Sequence, residues 1–163
     1  AALPPGSPPS APGGAGPAAD ASYSGAPDTL PSAMLDGNLS TGWSNYYSVP
    51  KTANLLAVSS SNPVDWVSLT WSATRAIGQL AAYFTTGGPL ALPATAEVSY
   101  WNGHALVPVG HLAIGWATAS NELTTFSFDQ VRTTSIRITM TSPAPGTGAG
   151  FLQIAELQAA GGA

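Results

Sequence analysis

The sequence predicts an all-β domain, and three observations carry that prediction. After Asp20, short runs of β-branched and aromatic residues are separated by Gly, Pro, Asn and Ser, the residues typical of turns. Within these runs apolar and polar side chains alternate, which places the apolar groups on one face of a strand. No window keeps the 3.6-residue period of a helix for three turns. Short strands at this spacing are typical of a sandwich or barrel.

Three segments show the strand alternation most clearly. Their apolar positions are Val67, Leu69 and Trp71, then Phe126 and Phe128, then Ile136, Ile138 and Met140. Further strands are predicted at residues 78–84, 97–100, 105–109 and 152–158. Asn102-Gly103 predicts a type I′ hairpin turn between two of them, because both residues tolerate the positive φ that this turn requires.

The 163 residues predict one domain preceded by a linker. Residues 1–19 consist almost entirely of Pro, Gly, Ala and Ser, which offer too little apolar area to offset the entropy of ordering the chain. We therefore expect a linker over residues 1–19, a folded module over 20–160 and a short tail over 161–163. Such uncharged Pro- and Gly-rich tethers separate modules in multidomain secreted enzymes.

The charge composition excludes several classes of partner. Charged residues make up 7% of the chain and its net charge is −4, with Lys51, Arg75, Arg132 and Arg137 scattered along the sequence as the only basic residues. Nucleic acid is not an expected partner, because so few cations cannot neutralise a phosphate backbone. A membrane is not expected either, since no apolar run approaches the roughly 18 residues of a spanning helix. The surface of small hydroxyl and amide groups favours a secreted protein.

The stretch from residue 35 to residue 45 concentrates oxygen donors. It contains the Asp36 carboxylate, the Asn38 amide and the hydroxyls of Ser40 and Thr41. Two glycines in the same stretch favour tight turns that leave backbone carbonyls available as ligands. Calcium prefers six to eight oxygen ligands, often including loop carbonyls. Glu156, in a mostly apolar predicted strand, is the best candidate for a second carboxylate. The alternative is an Asx-type turn that satisfies only its own backbone.

Asp36-Gly37-Asn38, followed by Ser40-Thr41 and Trp43, resembles the signature of discoidin-type (coagulation factor V/VIII type C) modules. Segments 65–69, 98–103, 134–138 and 154–157 resemble later strands of that family in the same order. The resemblance implies a jelly-roll β-sandwich of about eight main strands. It also implies a structural Ca²⁺ bound by the side chains of Asp36 and Thr41, by carbonyls near Ala33 and Asn38, and by Glu156.

The segment 42–47, together with Asp65-Trp66, is most similar to family 32 carbohydrate-binding modules appended to actinobacterial glycoside hydrolases. The resemblance implies a secreted, non-catalytic module that targets a parent hydrolase to a polysaccharide containing galactose or arabinose. Its partners would be that carbohydrate and the catalytic domain of the same parent chain.

A sugar site needs exposed aromatic rings and a few polar groups, because a sugar has an apolar C–H face and a rim of hydroxyls. By resemblance, the ligand lies on loops at one end of the sandwich. The candidates for ligand binding are Asn45, Tyr46, Tyr47, Lys51, His111 and Trp116, and the same loops add Asn121 and Glu122 to them. Tyr46 and Tyr47 are adjacent, so one of the two is expected in the core.

The other tryptophans are expected elsewhere. Trp43, Trp66 and Trp71 match framework or strand positions and are predicted to be in the core. Trp101, beside the Asn-Gly turn, is predicted to be exposed but away from the ligand loops. Three alternative functions stay open: glycoside cleavage by a carboxylate pair, adhesion to a membrane surface, and a spacer that packs on its catalytic partner.

Overall fold

The structure, a computed structural model, describes residues 17–23, 31–45, 61–88, 90–147 and 149–160. These residues contain a 3-10 helix and eight strands, and the all-β prediction is confirmed. The helix is Pro31–Leu35 and the strands are β1 Ala18–Ala21, β2 Trp43–Ser44, β3 Val64–Phe84, β4 Thr95–Trp101, β5 Leu106–Pro108, β6 Ala113–Gly115, β7 Glu122–Thr141 and β8 Gln153–Ala160. Within these ranges, no helix has the length and apolar character needed to cross a bilayer. The predicted tail and most of the predicted linker lie outside the described residues.

The strands form one antiparallel network in the order β2-β8-β3-β7-β4-β5, with β1 on β3 and β6 on β7. The long strands β3 and β7 change neighbours halfway. Residues 67–70 of β3 pair with β1, whereas residues 79–84 pair with β8. The register between β3 and β7 shifts between Thr70 and Arg75 and again between Ile77 and Gln79. Both strands thus pass from one layer to the other and form the discoidin-like jelly-roll sandwich that the resemblance implied.

We call the two layers front and back. The front layer contains β1, residues 64–70 of β3, residues 135–141 of β7, β4 and β5. The back layer contains β2, β8, residues 79–84 of β3, residues 122–127 of β7 and β6. The core lies between them, and its largest fully buried side chains include Trp43, Phe84, Phe126, Phe151 and Met34.

The predicted core positions are largely confirmed, with one correction among the tryptophans. Trp43 and Trp71 belong to the core. Trp66 does not, because Val67 and Leu69 point inward from β3 and the alternation turns Trp66 outward. Its ring is half-buried and is covered by the Arg137 guanidinium, whose central carbon lies 3.8 Å from the ring centroid.

Strand bounds differ from the prediction where local sequence carries little signal. Residues 67–71 and 78–84 are one strand, and so are 126–128 and 136–140. β1, β2 and β6 were not predicted, since two to four residues are too few to show an alternation. β1 includes Ala18 and Ala19, which composition assigned to the linker and which pair with Thr70 and Leu69.

The hairpin between β4 and β5 is not the predicted type I′ turn. Residues 102–105 connect the strands, and only Gly103, at φ 101°, has the left-handed conformation in that loop. Asn102 instead uses its side chain: Oδ1 accepts the backbone N–H groups of His104 and Ala105 at 2.9 and 3.0 Å. This Asx arrangement satisfies the turn without a positive φ at Asn102.

Candidate functional site

The loop between the 3-10 helix and β2 is held together by its own side chains. Asp36 Oδ1 accepts the Asn38 amide at 2.9 Å, and Asp36 Oδ2 accepts the Thr41 hydroxyl. Asn38 Oδ1 accepts both the amide and the hydroxyl of Ser40, at 3.0 and 2.6 Å. Gly37, at φ 73°, supplies the left-handed residue that this tight turn requires. The Asx-type turn that was the alternative to a metal loop is therefore present.

Gly42 allows this loop to pack closely against the backbone of β8. A Cβ atom at this position would lie 2.4 Å from the carbonyl oxygen of Ile154 and 2.7 Å from Cα of Ala155. Only glycine permits so close an approach between two backbones. The 3-10 helix also packs on β8, so both segments that flank the loop lie on the strand that carries Glu156.

Glu156 is a buried carboxylate without a hydrogen-bond donor of ordinary geometry. Its side chain is 0% exposed, and neither Oε1 nor Oε2 has a hydrogen-bond partner. The pKa of Glu156 is raised to about 7, mainly by burial and to a smaller extent by the charge of Asp36. The Gly37 amide approaches this carboxylate without completing a well-formed hydrogen bond. It offsets part of the increase in the pKa of Glu156. A negative charge at Glu156 is therefore costly unless a cation accompanies it.

These residues fit a hard divalent cation. Asp36 and Glu156 supply two carboxylates, and a loop rich in hydroxyls and carbonyls lies between them. The Ala33 carbonyl is in the last turn of the 3-10 helix, where carbonyls lack intrahelical partners. The Asn38 carbonyl accepts the amide and hydroxyl of Thr41 at 3.2 and 3.1 Å. Among the described residues, no group of three His, Cys, Asp or Glu side chains converges in a way that could hold a metal ion.

Three loops meet at one end of the sandwich, which we call the loop end. They comprise residues 85–88 and 90–94 after β3, 116–121 before β7, and 142–147 and 149–152 before β8. The Thr85 amide donates to the Gln153 carbonyl at 2.9 Å, and the Asn121 amide donates to the Phe84 carbonyl at 2.8 Å. The Thr85 hydroxyl donates to Asn121 Oδ1 at 2.6 Å. Asn121 adopts a left-handed φ of 60°, which asparagine tolerates better than most residues. The loops thus form one connected polar surface.

Trp116 is an exposed aromatic ring at the loop end. Its side chain is 38% exposed. The buried part packs against two core rings, Phe84 at 6.4 Å and Phe126 at 6.2 Å between centroids, the latter nearly edge-on at 74°. These contacts fix the indole before any ligand arrives. The exposed part of a ring held in this way is suited to stack on the C–H face of a sugar.

The structure corrects the prediction that Asn45 contacts a ligand. Asn45 is 3% exposed and both polar ends of its side chain are occupied. Nδ2 donates to Asp65 Oδ2 at 2.7 Å, and Oδ1 accepts the Leu152 amide at 2.8 Å. Asp65 also accepts hydrogen bonds from Ser22 and Asn62. Asn45 is therefore a framework residue that connects the end of β2 to the start of β3 and to the loop before β8.

His111 and Trp116 do not share a site, although both were predicted to bind ligand. They lie at opposite ends of β6, which pairs with β7 from Ala113 to Gly115. Four residues lie between them, and three of these form β6. His111 Nδ1 lies 2.7 Å from Asp129 Oδ2, and this hydrogen bond raises the pKa of His111. His111 thus belongs to the end of β6 that is remote from the loop end.

Three predicted contacts cannot be placed, and two polar residues of the loop end were not predicted. Tyr46, Tyr47 and Lys51 lie outside the described residues. The hydroxyls of Thr85 and Ser120, which bind Asn121 and the Thr86 amide, were missed. Sequence offers little signal for them, because Ser and Thr are abundant throughout the chain and only the fold shows which ones meet.

No family model and no curated protein matches this sequence. Solved structures do match its fold. A structure of the Streptococcus pneumoniae β-galactosidase BgaA aligns with a TM-score of 0.70 at 14% identity, covering 90% of this chain and 98% of that one. The family 32 carbohydrate-binding module of Clostridium perfringens NanJ, in complex with galactose, aligns with a TM-score of 0.64 at 24% identity, covering 88% and 92%. The family 32 module of AlyQ, in complex with 4,5-unsaturated mannuronic acid, has a TM-score of 0.58 at 20% identity, covering 88% and 93%.

The described strands and loops define a discoidin-like β-sandwich module. Its structural neighbours include carbohydrate-binding modules of family 32, with the alignment extending over most of each chain.

Proposed function

We propose that this chain is a non-catalytic carbohydrate-binding module that binds its ligand at the loop end. The observation that carries the proposal is Trp116, a partly exposed indole fixed against Phe84 and Phe126. Hydroxyl and amide groups of Thr85, Ser120 and Asn121 lie in the adjoining loops and can pair with sugar hydroxyls. An apolar ring beside a few oriented polar groups is the combination that sugar binding requires.

The structural neighbours support this class of ligand. The NanJ module was solved with galactose, and the AlyQ module with an unsaturated uronic acid. For this chain we propose a polysaccharide that contains galactose or arabinose. We further propose that the module is secreted and directs a parent glycoside hydrolase to that substrate, in keeping with its Pro- and Gly-rich first 16 residues and its low content of charged residues.

The distribution of carboxylates supports a role without catalysis. Glycoside cleavage needs two carboxyl groups on either side of the scissile bond. Of the described carboxylates in the strands next to the loop end, Glu122 is exposed, whereas Asp65 is buried and accepts three hydrogen bonds. The buried Glu156 lies in β8, and its neighbour Asp36 lies in the loop that packs on that strand.

We also propose a structural Ca²⁺ at that second location, held by Asp36, Thr41, Glu156 and the carbonyls of Ala33 and Asn38. The buried Glu156 carboxylate supports it, since both oxygens lack a hydrogen-bond partner and burial raises its pKa to about 7. A bound calcium ion supplies the positive charge that keeps this carboxylate ionised. The side chains themselves position the oxygens: Asp36 orients Thr41, and Gly42 lets the loop rest on β8.

The sugar-binding proposal is tested by comparing Trp116→Ala with His111→Ala. Binding to galactose- and arabinose-containing polysaccharides would be measured by affinity electrophoresis, with an oligosaccharide fragment of any binder in calorimetry. We expect Trp116→Ala to weaken binding at least tenfold, because stacking is lost. His111→Ala changes an exposed ring at the other end of β6 and should bind as the wild type does. Equal affinity in the wild type and Trp116→Ala, or no binding by the wild type to any polysaccharide, would overturn the proposal.

A further inference from the structure

A second concave surface surrounds Trp101, on the outer face of the front layer. Ala96 and Val98 of β4 point into the core, so the alternation turns Trp101 outward, where it is 40% exposed. Leu106 lies opposite Trp101 in the β4–β5 register and is 37% exposed. β4 begins beside the loop end at Thr95, and six residues separate Thr95 from Trp101, or about 20 Å of strand.

Two cavities flank the Trp101 indole and share Trp101 and Thr134 as lining residues. The first, of about 370 Å³, is also lined by Thr70, Leu106, Ser135 and Arg137. The second, of about 280 Å³, is lined in addition by Thr74, Asn102, Gly103, Arg132 and Thr133. We call this combined surface the Trp101 face. Its walls present hydroxyls around one aromatic ring, with one guanidinium on each side.

Arg137 is held in place but its charge is not neutralised. Its guanidinium is stacked on Trp66 at 3.8 Å, and its Nε is buried without a hydrogen-bond partner. Among the described residues no carboxylate forms an ion pair with it. Arg137 pairs with Ser68 of β3 and with Ser99 of β4. Both side chains are small and uncharged. The stack on Trp66 therefore fixes in place a guanidinium that lines the first cavity.

The fold also gathers basic groups that are scattered in the sequence. The chain has a net charge of −4 and four basic residues. Arg132 and Arg137 line the two cavities on either side of Trp101. Such a concentration of guanidinium groups on an otherwise acidic chain selects an anionic ligand.

We infer that the Trp101 face is a second glycan-binding site, specific for acidic oligosaccharides that contain hexuronate residues. The Trp101 indole stacks on the C–H face of one ring, and Arg137 binds the carboxylate of that ring or the next. Guanidinium and carboxylate match in a bidentate geometry. The hydroxyls of Thr70 and Ser135, 3.0 Å apart, are available to the ring hydroxyls. Few basic residues and hydroxyl-rich walls suit a sugar better than a phosphate backbone.

This inference rests on the proposed function in that the ligand is a carbohydrate, but it concerns a different surface. The loop end would bind through Trp116, and the Trp101 face lies along the sheet from it. The test therefore uses trimers of galacturonate and of mannuronate together with the neutral, carboxyl-reduced form of each. Binding is measured by calorimetry on the full chain, at 50 and 300 mM NaCl.

We expect Trp101→Ala and Arg137→Gln each to lower the affinity for at least one acidic trimer tenfold or more. The wild type should prefer that trimer to its carboxyl-reduced form by a similar factor, and salt should weaken the preference several-fold. Arg75→Gln is the matched control, because it removes the same charge without lining either cavity, and should change the affinity less than threefold. Arg132→Gln serves as a second cavity variant if loss of the stack on Trp66 unfolds Arg137→Gln.

The outcomes separate the two hypotheses. If Trp116→Ala abolishes binding of the neutral polysaccharide and the acidic trimers either do not bind or bind Trp101→Ala as they bind the wild type, only the second site is overturned. If the wild type binds neither neutral nor acidic saccharides, both hypotheses fail. Tighter binding of a single-stranded DNA oligonucleotide than of either trimer, lost in Trp101→Ala, would also overturn the assignment to an acidic glycan.

Discussion

Asn45 is hydrogen-bonded to Asp65 through its side-chain amide, with 2.7 Å between Nδ2 and Oδ2. The other end of the same amide accepts the Leu152 N–H at 2.8 Å. One buried side chain therefore joins β2, the start of β3 and the loop before β8. Asn45 lies beside the loop end, where these hydrogen bonds stabilise the loops. Its side chain does not face a ligand.

We predict that Asn45→Ala lowers the free energy of unfolding by about 2 to 4 kcal/mol, since it removes the acceptor of the buried Leu152 N–H and one of the three hydrogen bonds of the buried Asp65 carboxylate. Chemical denaturation would measure the change. Asn62→Ala is the control, because Asn62 donates to the same Asp65 carboxylate at 3.0 Å from a less buried position and should cost less. If Asn45→Ala has unchanged stability but no longer binds sugar, Asn45 contacts the ligand and the prediction is wrong.

Calcium should stabilise the wild type through Glu156. A metal that binds only the native state raises the melting temperature by mass action. We predict that CaCl₂ raises the melting temperature of the wild type at pH 7.5 and that a chelator reverses the rise. Glu156→Gln should not respond to either addition. A chelator-treated wild type that melts at the same temperature as the calcium-loaded protein would rule out the site.

Without metal, the stability of the protein should fall as the pH rises. The folded-state pKa of Glu156 is about 7, above the usual 4.5 for an unfolded glutamate. The favourable contribution of the protonated, buried carboxyl is fully present below about pH 4.5 and is lost as the pH rises through about 7. The shift corresponds to about 3 kcal/mol at 1.4 kcal/mol per unit.

Glu156→Gln should remove this pH dependence and should be more stable than the metal-free wild type at pH 8. Denaturant midpoints measured in chelator between pH 4.5 and 8 would show both effects. Glu97→Gln, a change at an exposed carboxylate of β4, should behave as the wild type. A wild type whose metal-free stability is constant over this range would contradict the prediction.

Gly42→Ala should destabilise the protein through a backbone clash. The new Cβ would meet the Ile154 carbonyl oxygen at 2.4 Å, so the loop must move away from β8. We expect a loss of about 1 to 3 kcal/mol and a weaker response to calcium. Gly115→Ala is the matched control, since its Cβ would meet only the side-chain hydroxyl of Thr125, which can rotate. Equal losses from the two substitutions would show that the approach of the loop to β8 is not the cause.

The hydrogen bond between Asp129 and His111 should be visible in a titration. The pKa of His111 is raised by the hydrogen bond to Asp129 and by its charge. We predict that Asp129→Asn lowers the pKa of His111 towards 6.5, as followed by the NMR shifts of its ring protons. The associated stabilisation is fully present below pH 6.5 and is lost as the pH rises through the raised pKa. An unchanged titration in Asp129→Asn would show that the contact does not persist in solution.

Much of the framework was predictable because strand alternation is a local property. Leu69, Ile136 and Ile138 are buried where the pattern placed them. The loop at Asp36 and the buried Glu156 were also found from sequence, since clustered oxygen donors and a carboxylate in an apolar strand are unusual. The merging of segments into β3 and β7 was not predicted, because the intervening residues 72–77 and 129–135 include turn formers such as Ser72 and Asp129 and show no clear alternation.

The sequence by itself determined the fold class, the inward faces of the main strands and the presence of an oxygen-rich loop, because each depends on neighbouring residues. The tertiary structure alone decided what the isolated polar and aromatic side chains do. It turned Trp66 outward under Arg137, buried Asn45, and placed His111 and Trp116 at opposite ends of β6. It also brought Arg132 and Arg137 to either side of Trp101. These relationships follow from the register between strands that are far apart in the chain, and no local pattern encodes that register.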